Sequence, residues 1–245
     1  MRNLKLIIQY DGTNYHGWQI QEKDITIQEV LEDAIRKLTG VRPKISGCGR
    51  TDTGVHAENY VCSFKTQSNI DCDRLPYAIN RFLPDDIVCI SAQDMPPDFD
   101  AHKSAVGKTY TYRILNSQYP DVFYNNRAWH YRYDLDLEKM KKAAKSLIGT
   151  HDFIGFAASG FTVKTTVRTI HNIEIVKEGN IVAIKVTGDG FLYNMVRIIA
   201  GTLVFAGNGK INCDEMDEIV ASCDRKRAGI TAPACGLYLT EVFYS

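Results

Sequence analysis

No apolar run in this 245-residue chain approaches the roughly 18 residues that a membrane-spanning helix requires. The first residues, Met1-Arg2-Asn3-Leu4-Lys5-Leu6, pass directly into strand pattern without the apolar core or small-residue cleavage site of a secretory leader. The seven cysteines, at 48, 62, 72, 89, 213, 223 and 235, are odd in number and contain no Cys-x-x-Cys pair. That argues against a disulfide framework and against a zinc site, and it fits a reducing, cytoplasmic setting. The six histidines have no metal-ligand spacing, so no metal site is expected. Gly188-x-Gly190 lacks the third glycine of a dinucleotide fingerprint and reads as a turn. Solenoid repeats and low-complexity tracts are missing too. Net charge is zero, without the basic excess usual in nucleic-acid proteins. The basic residues are grouped, however: Arg36-Lys37 with Arg42, Lys44 and Arg50, then Lys139, Lys141, Lys142 and Lys145, then Arg225-Lys226-Arg227. Such groups bind phosphate only if they line one groove.

What is present is a soluble-type composition, 44% hydrophobic, arranged as a mixture of strands and helices. Residues 4–10 read as a buried strand closed by the turn Asp11-Gly12-Thr13-Asn14. Tyr15-His16-Gly17-Trp18-Gln19 forms an aromatic loop, suited either to stacking on bases or to plugging a core edge. Thr26 and Glu29 have capping-box spacing, Ile27, Val30, Leu31, Ala34, Ile35 and Leu38 give one apolar face, and Gly40 stops the helix. Asp73 is the expected cap of a short helix and Asp136 of a second, which Gly149 follows. Ser104–Leu115 alternates, with Tyr110, Tyr112 and Ile114 on one face. Arg168–Val176 and Ile181–Thr187 read as a hairpin about Gly179-Asn180. Phe191–Phe205 reads as a helix placing Asn194 and Arg197 on one face. The Met95-Pro96-Pro97-Asp98 stretch marks an edge between two halves, 1–103 and 104–245. The fold class is α+β, two α+β halves around a mixed, largely antiparallel sheet.

One stretch concentrates chemistry: Gly47-Cys48-Gly49-Arg50-Thr51-Asp52-Thr53-Gly54-Val55-His56-Ala57, with three glycines in eight residues. A carboxylate on a Gly-flanked turn with a cation two residues away is favoured in its ionised form and can serve as nucleophile or base. Taken alone, the same spacing describes a solvated Asx turn. Other segments accompany it in fixed order: Tyr10-Asp11-Gly12-Thr13-x-Tyr15-x-Gly17-Trp18-Gln19, then Lys108-Thr109-Tyr110-x-Tyr112, then Phe191-Leu192-Tyr193-Asn194-Met195-Val196-Arg197, then Ala232-Pro233-x-x-Gly236-Leu237-Tyr238-Leu239. In this order and spacing the chain, from residue 4 onward, resembles the TruA family of tRNA pseudouridine synthases. Thr53 stands where that family often has Ala.

The resemblance implies the pseudouridine synthase fold and conversion of uridine to pseudouridine at positions 38, 39 and 40 of the tRNA anticodon stem-loop. It implies a homodimer that uses neither cofactor nor metal. By the same resemblance Asp52 matches the catalytic aspartate. Tyr110 matches the tyrosine that packs on the target base and serves in the final deprotonation. Arg50 matches the arginine that helps displace the target nucleotide, Arg197 the arginine that pairs with the aspartate, and Leu237 an apolar pocket residue. Two other classes stay open on residues alone. Asp52-Thr53-Gly54 spells the aspartic-peptidase triplet, although such peptidases make two carboxylates share a proton and Arg50 would oppose that. A non-catalytic RNA-binding module is the other.

Overall fold

The computed structural model describes residues 1–160 and 163–245 and divides them into two compact units, Met1–Val106 with Tyr238–Ser245, and Gly107–Leu237. Strands and helices mix in both, so the chain is α+β.

In the first unit, β1 (Arg2–Tyr10) lies between β3 (His56–Thr66) and β4 (Ile87–Met95), antiparallel to each. Leu4, Leu6 and Ile8 of β1 are fully buried, as the apolar pattern demands. The short β2 (Ser46–Gly47) adds to β3, and the last strand, β10 (Leu237–Tyr244), pairs with the start of β3 in parallel, Tyr238 with His56 and Leu239 with Ala57. Helix α1 (Ile27–Thr39) buries Ile27, Leu31, Ala34 and Ile35. It begins with the Thr26 hydroxyl accepting from Glu29 N–H and ends at Gly40 in the left-handed region, φ +79°. Helix α2 (Leu75–Asn80) starts at Arg74 without a side-chain cap; the Asp71 carbonyl accepts from Arg74 and Leu75 N–H, so Asp73 does not take the capping role. The Met95–Asp98 stretch is tied into this unit by Asn3, whose side-chain amide donates to the Pro96 and Phe99 carbonyls. The boundary between the units falls later, inside the next strand.

In the second unit, β5 (Ala105–Asn116), β9 (Ile181–Gly188), β8 (Val167–Glu178) and β7 (Gly149–Asp152) pair antiparallel in that order, and β6 (Trp129–Tyr131) joins β5 in parallel. The β8–β9 hairpin turns at Gly179, φ +56°, where a side chain would be strained. Tyr112 and Ile114 are buried as expected, and Thr109 and Thr111 on the opposite face are buried as well, so β5 is covered on both sides. Helix α3 (Leu137–Lys145) is capped by Asp136, which accepts from Glu138 and Lys139 N–H. Helix α4 (Met195–Gly207) is buried almost all round. It starts later than its apolar pattern, because Asn194 sits in the left-handed region, φ +60°, and breaks the run from Phe191. Helix α5 (Met216–Ala221) follows.

Candidate functional site

The Asp52 turn belongs to the first unit and leads directly into β3. Val55 N–H donates to the Asp52 carbonyl at 3.1 Å, and Gly54 adopts φ +76° at the third position, where a type II turn requires positive φ. The segment 10–18 straps this turn on both flanks. Tyr10 and Thr51 share a hydroxyl–hydroxyl bond at 2.9 Å, Trp18 N–H donates to the Thr51 carbonyl at 3.2 Å, and Gly54 N–H donates to the Tyr15 carbonyl at 3.3 Å. The backbones touch so closely that only glycine fits at two points. A Cβ on Gly12 would stand 2.0 Å from the Val55 carbonyl oxygen, and one on Gly17 2.3 Å from that of Thr51.

Beneath the strap, Trp18 stacks on Tyr60 at 4.1 Å and 25°. The Tyr60 hydroxyl donates to the Gly49 carbonyl at 2.5 Å. Burial pushes the Tyr60 phenol well above its ordinary pKa, so it remains a donor at any working pH. Tyr15 is buried and its hydroxyl donates to Asp86 Oδ1 at 2.5 Å. Tyr15 and Trp18 therefore plug the core edge of this unit, and neither ring is presented for base stacking. Asp52 itself is half-buried, while Arg50 is exposed and, among the described residues, forms no ion pair.

A buried polar network supports the same loop from α1. Glu32 is nearly inaccessible, accepts from Arg42 Nε at 3.0 Å and from Gln28 Nε2 at 2.9 Å, and receives Ile45 N–H at 3.5 Å. Its charge is thus paired and hydrogen-bonded, as burial requires, and the chain between α1 and β2 is pinned.

The second unit carries Tyr110, Arg197 and Leu237. Tyr110 is buried on β5 with Phe191 edge-on to its ring at 5.2 Å. Arg197 is half-buried in the first turn of α4. Its Nη1 donates to Asn194 Oδ1 and its Nε to the Ala232 carbonyl, both at 2.7 Å, so Asn194 and Arg197 meet as expected, though by a bond from the helix to its left-handed cap residue rather than on one helical face. The 225–236 loop is laid against α4. Gly229 N–H donates to the Thr202 hydroxyl, and a Cβ on Gly201 would stand 2.0 Å from the Ile230 carbonyl oxygen. Tyr112 hydroxyl reaches the Pro233 carbonyl at 2.8 Å, which fixes the approach to buried Leu237.

The basic groups are largely self-neutralised. Arg42 pairs with Glu32 and Asp33, Arg36 with Asp33, Lys141 with Glu138, Lys142 with Asp214, and Arg227 with Glu218. Lys37, Lys44 and Arg50 in the first unit are exposed cations without ion-pair partners among the described residues. No cluster of three or more metal-type ligands occurs among the described residues. The loop-building residues Gly12, Trp18, His56 and Tyr60 escaped sequence reasoning as functional positions. Their signal is the Tyr-Asp-Gly and Gly-Trp segments, whose partners lie some forty residues downstream.

A family model described as tRNA pseudouridine synthase matches residues 6–102 and 143–245. The chain is 53% identical over 244 residues to the tRNA pseudouridine synthase A of Acetivibrio thermocellus, and 50% identical over 244 and 245 residues to proteins of the same name from a Thermoanaerobacter species and from Ruminiclostridium cellulolyticum. Each of these alignments covers 100% of both chains.

Proposed function

The chain belongs to the tRNA pseudouridine synthase family, and from that premise we propose that it isomerises uridine to pseudouridine at positions 38, 39 and 40 of the tRNA anticodon stem-loop. The observation that carries the reading is the Asp52 turn: a half-buried carboxylate on a positive-φ glycine turn, strapped from both sides, within full-length kinship to this family. In the reaction the bond between the sugar's anomeric carbon and the base nitrogen breaks. The base turns, and a carbon–carbon bond forms. One proton leaves that carbon and one is gained at nitrogen, so there is no net redox change. Asp52 either attacks the anomeric carbon or removes a sugar proton to start this sequence.

Tyr110 packs on the target base and assists the final deprotonation. Arg50, exposed and without an ion pair among the described residues, takes the space vacated when the nucleotide leaves its stack, a step costing a few kcal/mol. Arg197 serves as the ionic partner of the carboxylate, and Leu237 lines the base pocket. The working form is a cytoplasmic homodimer, its two halves of chain, 1–103 and 104–245, together completing each site.

The test is tritium release from tRNA labelled at uridine C5, with pseudouridine mapped by position in the product. Wild-type protein is expected to release tritium and mark positions 38–40, while Asp52→Asn binds tRNA and releases none. Marks confined to other positions would reassign the substrate site. Turnover by Asp52→Asn within a few-fold of wild type would remove Asp52 from its role. Arg197→Lys, which keeps charge but not the planar fork, is expected to lose most activity.

A further inference from the structure

We propose that His56 is a positioning residue for the Asp52 turn, acting as a neutral hydrogen-bond acceptor for the backbone N–H of Gly12. This deepens the reading of Asp52 given above and rests on it. His56 opens β3, four residues after Asp52, and is 2% exposed. Gly12 N–H donates to its Nδ1 at 3.0 Å. A backbone N–H can only donate, so Nδ1 presents a lone pair and the ring proton sits on Nε2.

Asp11 Oδ1 lies 3.2 Å from the same nitrogen. That oxygen already accepts from the Thr13 N–H at 3.0 Å and the Thr13 hydroxyl at 2.5 Å, whereas Gly12 N–H points at the ring. The ring face is held independently, stacked on Tyr238 of β10 at 4.6 Å and 23°. His56 is thereby fixed on its face by the last strand and on its edge by the strap.

The consequence falls on Asp52 through the backbone. Besides the Tyr10–Thr51 hydroxyl bond, the strap's backbone meets the turn at three places in sequence: Gly12 at His56, Tyr15 at Gly54, and Trp18 at Thr51. Asp52 lies between the second and third. The Gly12 bond secures the start of the strap, where no side chain fits between it and Val55. Without an acceptor at Nδ1, Gly12 N–H is stranded at a buried position, and the strap lifts from Val55 to find water. A shift of about 1 Å in a catalytic group costs on the order of 100-fold in rate.

Two substitutions separate this role from packing. The Asn amide oxygen stands where Nδ1 stood, whereas the Gln amide oxygen falls nearer the place of Nε2. His56→Asn is expected to keep kcat within about tenfold of wild type. His56→Gln and His56→Ala are expected to lose about 100-fold in kcat, with tRNA affinity changed only a few-fold. Equal kcat for Asn and Gln, or a loss confined to affinity, would overturn the assignment. Nitrogen-15 NMR of histidine-labelled wild-type protein, with the signal assigned through His56→Asn, is expected to show protonated Nε2 and bare Nδ1. A proton on Nδ1 at neutral pH overturns the proposal even if a variant fails to fold. Asp52→Asn assayed alongside keeps the two readings apart: full turnover there defeats the role of Asp52, while the His56 tautomer and the Asn–Gln ordering are judged on their own.

Discussion

Replacing Tyr60 by Phe removes one oxygen atom from the base of the Asp52 loop and nothing else. The ring keeps its stack on Trp18 and its tilted contact with Tyr10 at 5.7 Å. The fully buried hydroxyl is lost, and the Gly49 carbonyl loses its donor at 2.5 Å. Gly49 is half-buried, so its carbonyl left without this donor costs the lower part of the range for an unsatisfied buried group, about 1–2 kcal/mol. Phe is slightly easier to bury, so the net destabilisation is about 1–2 kcal/mol. For a chain of 245 residues that lowers the thermal midpoint by about 2–8 °C. Gly49 is three residues before Asp52, so slack here moves the carboxylate, and kcat is expected to fall about tenfold with tRNA affinity preserved. Thermal and urea unfolding read the first quantity, and tritium release under saturating tRNA reads the second. Unchanged stability would show that the hydroxyl supports nothing. A loss of stability with unaltered kcat would disconnect this clamp from Asp52.

Four further outcomes are expected. Gly17→Ala meets both a positive φ of +79° and a Cβ 2.3 Å from the Thr51 carbonyl oxygen, so it should cost at least ~2 kcal/mol in unfolding experiments and depress turnover. Arg42→Met removes a cation from nearly inaccessible Glu32 and should destabilise by roughly 1–3 kcal/mol, reduced in the double variant with Glu32→Gln, as a double-mutant cycle would show. tRNA affinity should fall with rising salt. Lys37→Gln and Lys44→Gln should each reduce the logarithmic slope by about one, while Lys142→Gln, already paired with Asp214, should leave it unchanged. Burial works to raise the Asp100 pKa, but the Lys103 N–H, the Ser46 hydroxyl and the His102 N–H outweigh it and hold the carboxyl below its ordinary range. Its stabilising contribution is therefore present above the unfolded-state pKa of roughly 4 and disappears as pH falls through the lowered folded value, so Asp100→Asn should destabilise at neutral pH and converge on wild type in acid.

Local signals in the sequence specify local structure well here. Thr26 with Glu29 and Gly40 bracket α1, Asp136 caps α3, and Gly179-Asn180 turns the β8–β9 hairpin, because each depends on neighbours a few residues away. The onset of α4 was not legible, since apolar residues from 191 onward continue the helical period through Asn194, whose left-handed backbone breaks it. The Asp52 turn is visible as a cluster of glycines, yet what fixes it is not. Tyr10 reaching Thr51, Gly12 reaching His56 and Trp18 under Tyr60 are long-range pairings that no periodicity encodes. The basic clusters misled in a different way. Their cations are plain in the sequence, but their acidic partners, such as Asp214 for Lys142, are distant along the chain.

The parallel pairing of β10 with the start of β3 carries a consequence for how the protein is made. Ribosomes release the chain in order, so β1, β3, β4 and the Asp52 turn emerge before the second unit, and Tyr238 emerges after it. Through that interval the edge of β3 at His56 and Ala57 lacks its strand, and the His56 ring lacks the Tyr238 face on which it stacks. A polypeptide ending before Leu237 therefore displays an unpaired strand edge at His56 and Ala57, next to the Asp52 turn that the 10–18 strap already holds, and that edge is open to pairing with another chain until β10 covers it.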